Sequence, residues 1–233
     1  MSDTAISIRN LYKIFGSDPN EAMKRVRKGM EKNELLELTG HVLGISDICL
    51  EIKKNKVQVV MGLSGSGKST LIRLINRLIE PTAGQILIDG ENILGMNAFA
   101  LRKMRRNKIS MVFHSFALFP HRTIMENTGY GLEVQGESRQ NIKKAAIRWI
   151  NRVGLSGYED YYPAQLSGGM RQRVGLARAL TTDADILLMD EAFSALDPLI
   201  KTEMQDILLD LQEELKKTIV FITHDLDEAL RIG

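Results

Sequence analysis

The segment Gly62-Leu-Ser-Gly-Ser-Gly-Lys68-Ser69 constrains this chain more than any other feature. It fits the spacing G-x-x-x-x-G-K-[ST], in which each residue type has a physical task. Gly62, Gly65 and Gly67, with Ser64 and Ser66 between them, let the backbone wrap closely round phosphate oxygens with several N–H groups turned inward. A helix starting near Lys68 presents its positive end to the anion. Lys68 reaches the β and γ phosphates, the Ser69 hydroxyl coordinates Mg²⁺, and Thr70 follows in the same turn. Such a loop needs a strand before it and a helix after it, and both flanks supply one. Val57–Met61 is a buried strand candidate, and Lys68–Leu78 reads as a helix with Leu71, Ile75 and Leu78 on one face. The chain therefore reads as a nucleotide-phosphate binder, with ATP and Mg²⁺ as expected ligands.

Further along, short apolar runs alternate with longer amphipathic segments, the pattern of a parallel sheet covered by helices. Ile186–Met189 and Ile219–Ile222 are four-residue apolar runs suited to central strands. The first delivers Asp190 and Glu191 at its carboxyl end, where α/β sheets place ligands. Asp190 is expected to act on Mg²⁺ through a water, and Glu191 is the candidate general base. Between the two runs, Asp197 followed by Pro198 predicts a helix start, with Leu199, Ile200, Met204, Ile207, Leu208, Leu211 and Leu215 at helical spacing. Residues 116–180 carry helical patterns at Asn141–Val153 and Gly169–Leu180 and no strand pattern, which predicts a helical lobe inserted into the core. Asp18–Leu38 is a charged helix-forming segment with Met23, Val26 and Met30 on one face, and it reads as a solvated helix packed on the core. The basic run Arg102, Lys103, Arg105, Arg106, Lys108 reads as a solvated helix face.

Composition excludes several classes. With 233 residues the chain is long enough for one large α/β domain. Lys plus Arg total 31 against 29 Asp plus Glu, a net charge of +2, which argues against a nucleic-acid backbone as the main partner. The single cysteine, Cys49, forbids an internal disulfide, fits a cytosolic setting, and is expected to be a small buried residue between Ile48 and Leu50. No stretch approaches the roughly 20 apolar residues that span a bilayer, so any membrane part must come from another chain.

At this point the sequence resembles the ATPase subunits of ABC transporters. Leu166-Ser-Gly-Gly-Met-Arg-Gln172 resembles the family's signature segment, with Met170 where glutamine is commonest. Ser194-Ala-Leu-Asp197 resembles its D-loop, and His224 after the strand Ile219–Ile222 resembles its switch histidine. Phe15 sits where the family places an aromatic that stacks on adenine. The resemblance implies a P-loop NTPase fold with a RecA-like core, an antiparallel β edge and an inserted helical subdomain. The expected arrangement is one ATPase domain over 1–233, with a core of 1–115 and 181–233, an N-terminal helical insertion at about 18–40, and a helical subdomain at 116–180. It also implies a head-to-tail dimer, with Ser167, Gly168 and Gly169 of the second copy reaching the γ-phosphate and Asp197 lying nearby. Glu191, His224 and Lys68 are then the catalytic set.

The long segment Ala22–Gly44 and the motifs Asn76-Arg-Leu-Ile-Glu-Pro-Thr82 and His224-Asp-Leu-Asp-Glu-Ala-Leu-Arg-Ile-Gly233 are similar to the branch serving glycine betaine and proline uptake. That implies a transmembrane permease subunit, a periplasmic or lipid-anchored substrate-binding protein acting indirectly, and a peripheral position on the cytoplasmic face of the inner membrane. Two departures stand out. His114 occupies the position after strand Ile109–Phe113 where the family has glutamine, which contacts Mg²⁺ and the attacking water. Either it substitutes through a water, making coupling pH-sensitive, or the difference is neutral. The sequence ends at Gly233, where the family continues with further strands and this branch often adds a CBS module, so those parts are expected to be absent. A soluble ABC-type ATPase acting on DNA or the ribosome lacks its usual long coiled-coil insertion here. A nucleotide-binding regulatory module is opposed by the intact Glu191 and His224.

Overall fold

The computed structural model describes residues 3–233. The chain runs β1 (Thr4–Phe15), α1 (Pro19–Arg27), α2 (Lys32–Thr39), β2 (Val42–Lys53), β3 (Val57–Met61), α3 (Lys68–Ile75), β4 (Ala83–Ile88) and β5 (Glu91–Asn92). It continues with α4 (Ala98–Lys108), β6 (Ile109–Phe113), α5 (Ile124–Gln135), α6 (Arg139–Arg152), α7 (Gly168–Thr181), β7 (Ile186–Asp190), α8 (Pro198–Leu215), β8 (Thr218–Thr223) and α9 (Leu226–Ile232). Two compact units result: Met1–Lys54 with Leu63–Asn97, and Asn55–Gly62 with Ala98–Gly233.

The first unit is an antiparallel sheet of order β2-β1-β4-β5. Its long β1/β2 ladder runs from Phe15 opposite Val42 to Thr4 opposite Lys53, with register shifts near Asn10, whose amide donates to Asp47 at 3.0 Å. The helix expected over Asp18–Leu38 is two helices. Asp18 caps α1 by accepting from Glu21 N at 3.0 Å with Pro19 at the first position, and the chain then turns at Gly29 before α2. Both helices bury an apolar face: Ala22, Met23 and Leu35 pack with Ile14 and Leu43 of the sheet, and Val26 and Met30 adjoin them. α3 buries Leu71, Ile72, Leu74 and Ile75 but stops at Ile75, three residues short of the expected Leu78. The reason is local: Asn76 caps the end, its side chain accepting from Leu78 N at 3.1 Å, and Arg77 turns left-handed at φ +52°. Cys49 is exposed rather than buried, because its strand neighbours Ile48 and Leu50 take the half-buried positions of an alternating strand.

The second unit is a parallel sheet of order β3-β8-β7-β6. Pairing aligns Met61 with Thr223, Ile222 with Asp190, and Asp190 with Phe113, so all four carboxyl ends share one edge. β7 and β8 are buried along their whole length, as continuous apolar runs in a parallel sheet require. Between β6 and β7 lie α5, α6 and α7, each started by a side-chain cap at Thr123, Ser138 and Ser167. Trp149, Ile150, Val174, Leu176, Phe193, Met204 and Phe221 join one apolar core that runs from these helices into the sheet.

Candidate functional site

In the first unit, the loop Leu63–Ser69 is shaped by backbone conformations that only glycine holds cheaply. Gly67 has φ +95° and caps α3, and a Cβ added there would stand 2.5 Å from the Gly44 carbonyl oxygen. Neither the torsion nor the space admits a side chain. Ser66 N donates back to Leu63 O at 3.2 Å, and Lys68 Nζ donates to the same oxygen at 2.9 Å. The Lys68 side chain, 7% exposed, thus lies folded along the loop it would serve. Ser69 and Thr70 occupy the first turn of α3 and are half-buried, while Ser64, Gly65 and Ser66 are exposed. The fit to a phosphate group is good: a glycine cradle opens onto the N-terminal end of a two-turn helix with a lysine and a hydroxyl on that turn.

Phe15 ends β1, 40% exposed. Its ring packs on Gly44, where a Cβ would meet ring carbon Cε2 at 2.7 Å, and Lys13 Nζ lies 5.0 Å from the ring centroid. Gly44 therefore supports the Phe15 ring with its α-carbon and the phosphate loop, at Gly67, with its carbonyl. Sequence reasoning missed Gly44, whose only signal was a glycine inside a strand pattern. It also missed that the turn between α1 and α2 reaches the loop: Met30, Lys32, Tyr12, Ile45 and Ser66 border one cavity of ≈ 600 Å³.

In the second unit, Asp190 ends β7 and is 5% exposed. Glu191 follows at φ +47°, with its N–H donating to Ile222 O at 3.1 Å. Its carboxylate Oε2 lies 3.1 Å from Nδ1 of His224, the first residue past β8. A carboxylate only accepts, so His224 Nδ1 carries the hydrogen. His114, one residue past β6, reaches the same neighbourhood, with Nδ1 2.7 Å from Ser194 Oγ. Asp190, Glu191, His224 and His114 are thus assembled at the carboxyl edge of the parallel sheet. Gly62, directly after β3, leaves that edge too.

A polar cluster lies beneath His224. The Thr223 hydroxyl donates to the carboxylate of Glu228, which is 2% exposed, and Gln205 and Lys201 each approach that carboxylate at 3.4 Å. Lys201 also pairs with Asp225 at 2.8 Å. That hydrogen bond, helped by the N–H groups of α9, holds the Asp225 carboxyl below its ordinary range. Burial pulls the Lys201 ammonium down, but its bonds to Asp225 and Glu228 outweigh this and leave it raised.

Ser167 caps α7, its Oγ accepting from Met170 N at 3.3 Å. Gly168 borders open space, and Gly169 faces Ile200 in the first turn of α8, whose cap is Asp197, accepting from Ile200 N at 3.1 Å. The start of α7 thus packs through Gly169 against Ile200, the residue whose N–H the Asp197 cap accepts. From the far part of α7, Arg178 donates to the carbonyls of Ala117 at 2.7 Å and Phe116 at 3.1 Å, two consecutive residues with positive φ. Burial pushes this guanidinium below its ordinary range. Sequence reasoning passed over Arg178 and read Ser194 only as the start of a D-loop-like segment, because only tertiary contact gives them a partner.

Comparison with known proteins gives a consistent result. Residues 45–194 match the ABC transporter family. The glycine betaine transport ATP-binding protein OpuAA of Bacillus subtilis is 59% identical over 98% of this chain and 54% of its own length. The glycine betaine/proline betaine transport system ATP-binding protein ProV of Salmonella typhimurium is 58% identical over 98% of this chain and 57% of its own. The chain thus spans little more than half the length of these curated relatives. Among solved structures, the dimeric bacterial ABC transporter cassette MJ0796 superposes with a TM-score of 0.81 at 32% identity, covering 97% of this chain and 90% of that one. A post-hydrolysis dimer of the same cassette bound to ADP and Pi also scores 0.81, at 31% identity.

Proposed function

The chain belongs to the ABC transporter family, and we propose that it binds and hydrolyses ATP to power uptake of an osmoprotectant such as glycine betaine or proline through a separate permease. The observation that carries the hydrolytic reading is the Glu191–His224 pair, a carboxylate and an imidazole 3.1 Å apart at the sheet edge from which the phosphate loop departs. In this reading Lys68 and the loop amides of Gly62 and 64–67 hold the phosphates, with Thr70 beside them. Ser69 and Asp190 hold Mg²⁺, whose hard character suits a hydroxyl and a carboxylate and which offsets charge on the phosphates. Phe15 carries the adenine. Glu191 takes the proton of the attacking water, and His224 fixes the carboxylate in place.

Two copies are proposed to act together, with Ser167, Gly168 and Gly169 of one approaching the nucleotide of the other beside Asp197. The cap of α7 supports this, since Ser167 starts a 14-residue helix whose first residue, Gly168, borders open space. Support for the cargo comes from the relatives, which are named for glycine betaine and proline betaine transport. Among the described residues no helix is long and apolar enough to cross a membrane, which fits a chain that borrows its membrane part. We accordingly assign it to the cytoplasmic face of the inner membrane, with a permease as direct partner, a substrate-binding protein as indirect partner, and no nucleic acid.

The deciding experiment compares ATP turnover of the wild type with Glu191→Gln. The amide cannot accept the water's proton, so kcat should fall by about 10²–10⁴, the usual contribution of a general base. Equal rates would sink the catalytic reading. The cargo is tested separately by betaine uptake in cells carrying the chain with its permease.

A further inference from the structure

His114, Ser194 and the main chain of Glu191 form a hydrogen-bonded chain whose direction is fixed by the donors available. Ser194 Oγ lies 2.8 Å from the Glu191 carbonyl oxygen, which can only accept, so the hydroxyl gives its one hydrogen there. His114 Nδ1 lies 2.7 Å from the same Oγ. With its hydrogen committed, Oγ must accept, and Nδ1 must therefore carry the hydrogen of the ring. Nδ1 is also 3.4 Å from the Glu191 carbonyl itself, which is thus held from two directions.

The residue held in this way is strained. Glu191 has φ +47°, a conformation that side-chain-bearing residues keep only where the surroundings over-determine it. Its N–H is anchored to Ile222 O at 3.1 Å, and its carboxylate reaches His224 at 3.1 Å. Releasing the carbonyl would let the peptide relax toward negative φ and swing the carboxylate away from His224. We propose that His114 is a positioning residue for Glu191: as the Nδ1–H tautomer it locks, through Ser194, the left-handed backbone from which the carboxylate meets His224. The role rests on the reading of Glu191 as the base. It also gives the histidine a purpose of its own, because a rigid ring with two torsions holds its donor at Ser194 with less freedom to lose than a longer flexible amide.

Two measurements test this. Imidazole ¹⁵N NMR of the purified protein without nucleotide should show His114 as the Nδ1–H tautomer, and Ser194→Ala should lower the Nδ1–H population, since only the 3.4 Å approach to the Glu191 carbonyl then favours it. Steady-state kinetics should show His114→Ala and Ser194→Ala each lowering kcat about three- to tenfold, the span of one lost hydrogen bond, with KM for ATP unchanged. The double variant should fall no further than the weaker single one. An Nε2–H tautomer in the wild type, or losses that multiply in the double variant, overturns the proposal. The NMR result does not depend on turnover, so failure of the base assignment, read from Glu191→Gln, is distinguishable from failure of this one.

Discussion

At the scale of single residues, geometry separates glycines that a motif merely contains from those it cannot lose. Gly67 combines φ +95° with a carbonyl 2.5 Å from where a Cβ would sit, so Gly67→Ala must move the loop or β2. ATP affinity should drop about tenfold or more, since strain of this kind costs on the order of 1–2 kcal/mol. Gly90→Ala is the control: φ is +85° but the surroundings are open, so it should cost about 1 kcal/mol of stability and leave ATP affinity unchanged. Titration with a fluorescent nucleotide compares the two, and wild-type affinity in Gly67→Ala would refute the steric argument. The motif spacing picked out Gly67 from the sequence. For Gly44 it offered only a glycine inside a strand pattern, because the carbonyl that makes Gly67 irreplaceable belongs to a strand 23 residues earlier in the chain.

At the scale of elements, caps and buried pairs decide where helices start and how they respond to pH. Asp197→Ala removes the cap of α8 and should lower stability by about 1 kcal/mol, seen as a reduced Tm. The α9 cap is more sensitive, because Asp225 is also paired with Lys201. Asp225 is depressed in the folded state, so its contribution is present above the unfolded carboxylate value of about 4 and is lost as pH falls through the lower folded value. Lys201 is raised, so its contribution is lost only as pH rises through a value above about 10.4. Thermal melts should therefore weaken on acidification below about pH 4, and Asp225→Asn should flatten that dependence. An unchanged slope in the variant would locate the acid sensitivity elsewhere. Asp197 with Pro198 was readable as a helix start, since a cap is a local device. The Lys201–Asp225–Glu228 cluster was not, because its members lie on α8 and α9 with β8 between them.

At the scale of the whole molecule, the proposed head-to-tail pairing makes a prediction that single-chain catalysis does not. Lys68→Ala removes the phosphate lysine and Ser167→Arg obstructs the capped end of α7, so each variant alone should be nearly inactive. In a mixture, heterodimers retain one site with an intact loop from one copy and an intact α7 start from the other. ATPase activity should reappear on mixing, toward half that of a wild-type site pair at most. A mixture as inactive as its parts would show that each chain uses its own Ser167. The test addresses the helix starts at Ser167–Gly169 and Lys68–Thr70, each proposed to offer its first turn to an anion.

The sequence by itself determined the loop, the two acidic residues after an apolar run, the helix start at Asp197, and the strands β3, β7 and β8, of which β7 and β8 are buried while β3, expected to be buried, is half-buried and ends on the exposed Met61. These are local patterns, set by torsional preference, hydrogen-bond donors within a few residues, and hydrophobic run length. It overextended α3 and fused α1 with α2, because side-chain spacing records which face is apolar and not where the backbone turns. It misplaced Cys49 because strand alternation, rather than residue type, assigned that side chain to solvent. Only the tertiary structure decided that His114 bonds Ser194, that Glu191 meets His224, and that Arg178 clamps the turn at Phe116 and Ala117. Those contacts join residues 33 to 80 positions apart, and the first two exist because parallel pairing brings the carboxyl ends of β6, β7 and β8 to one edge.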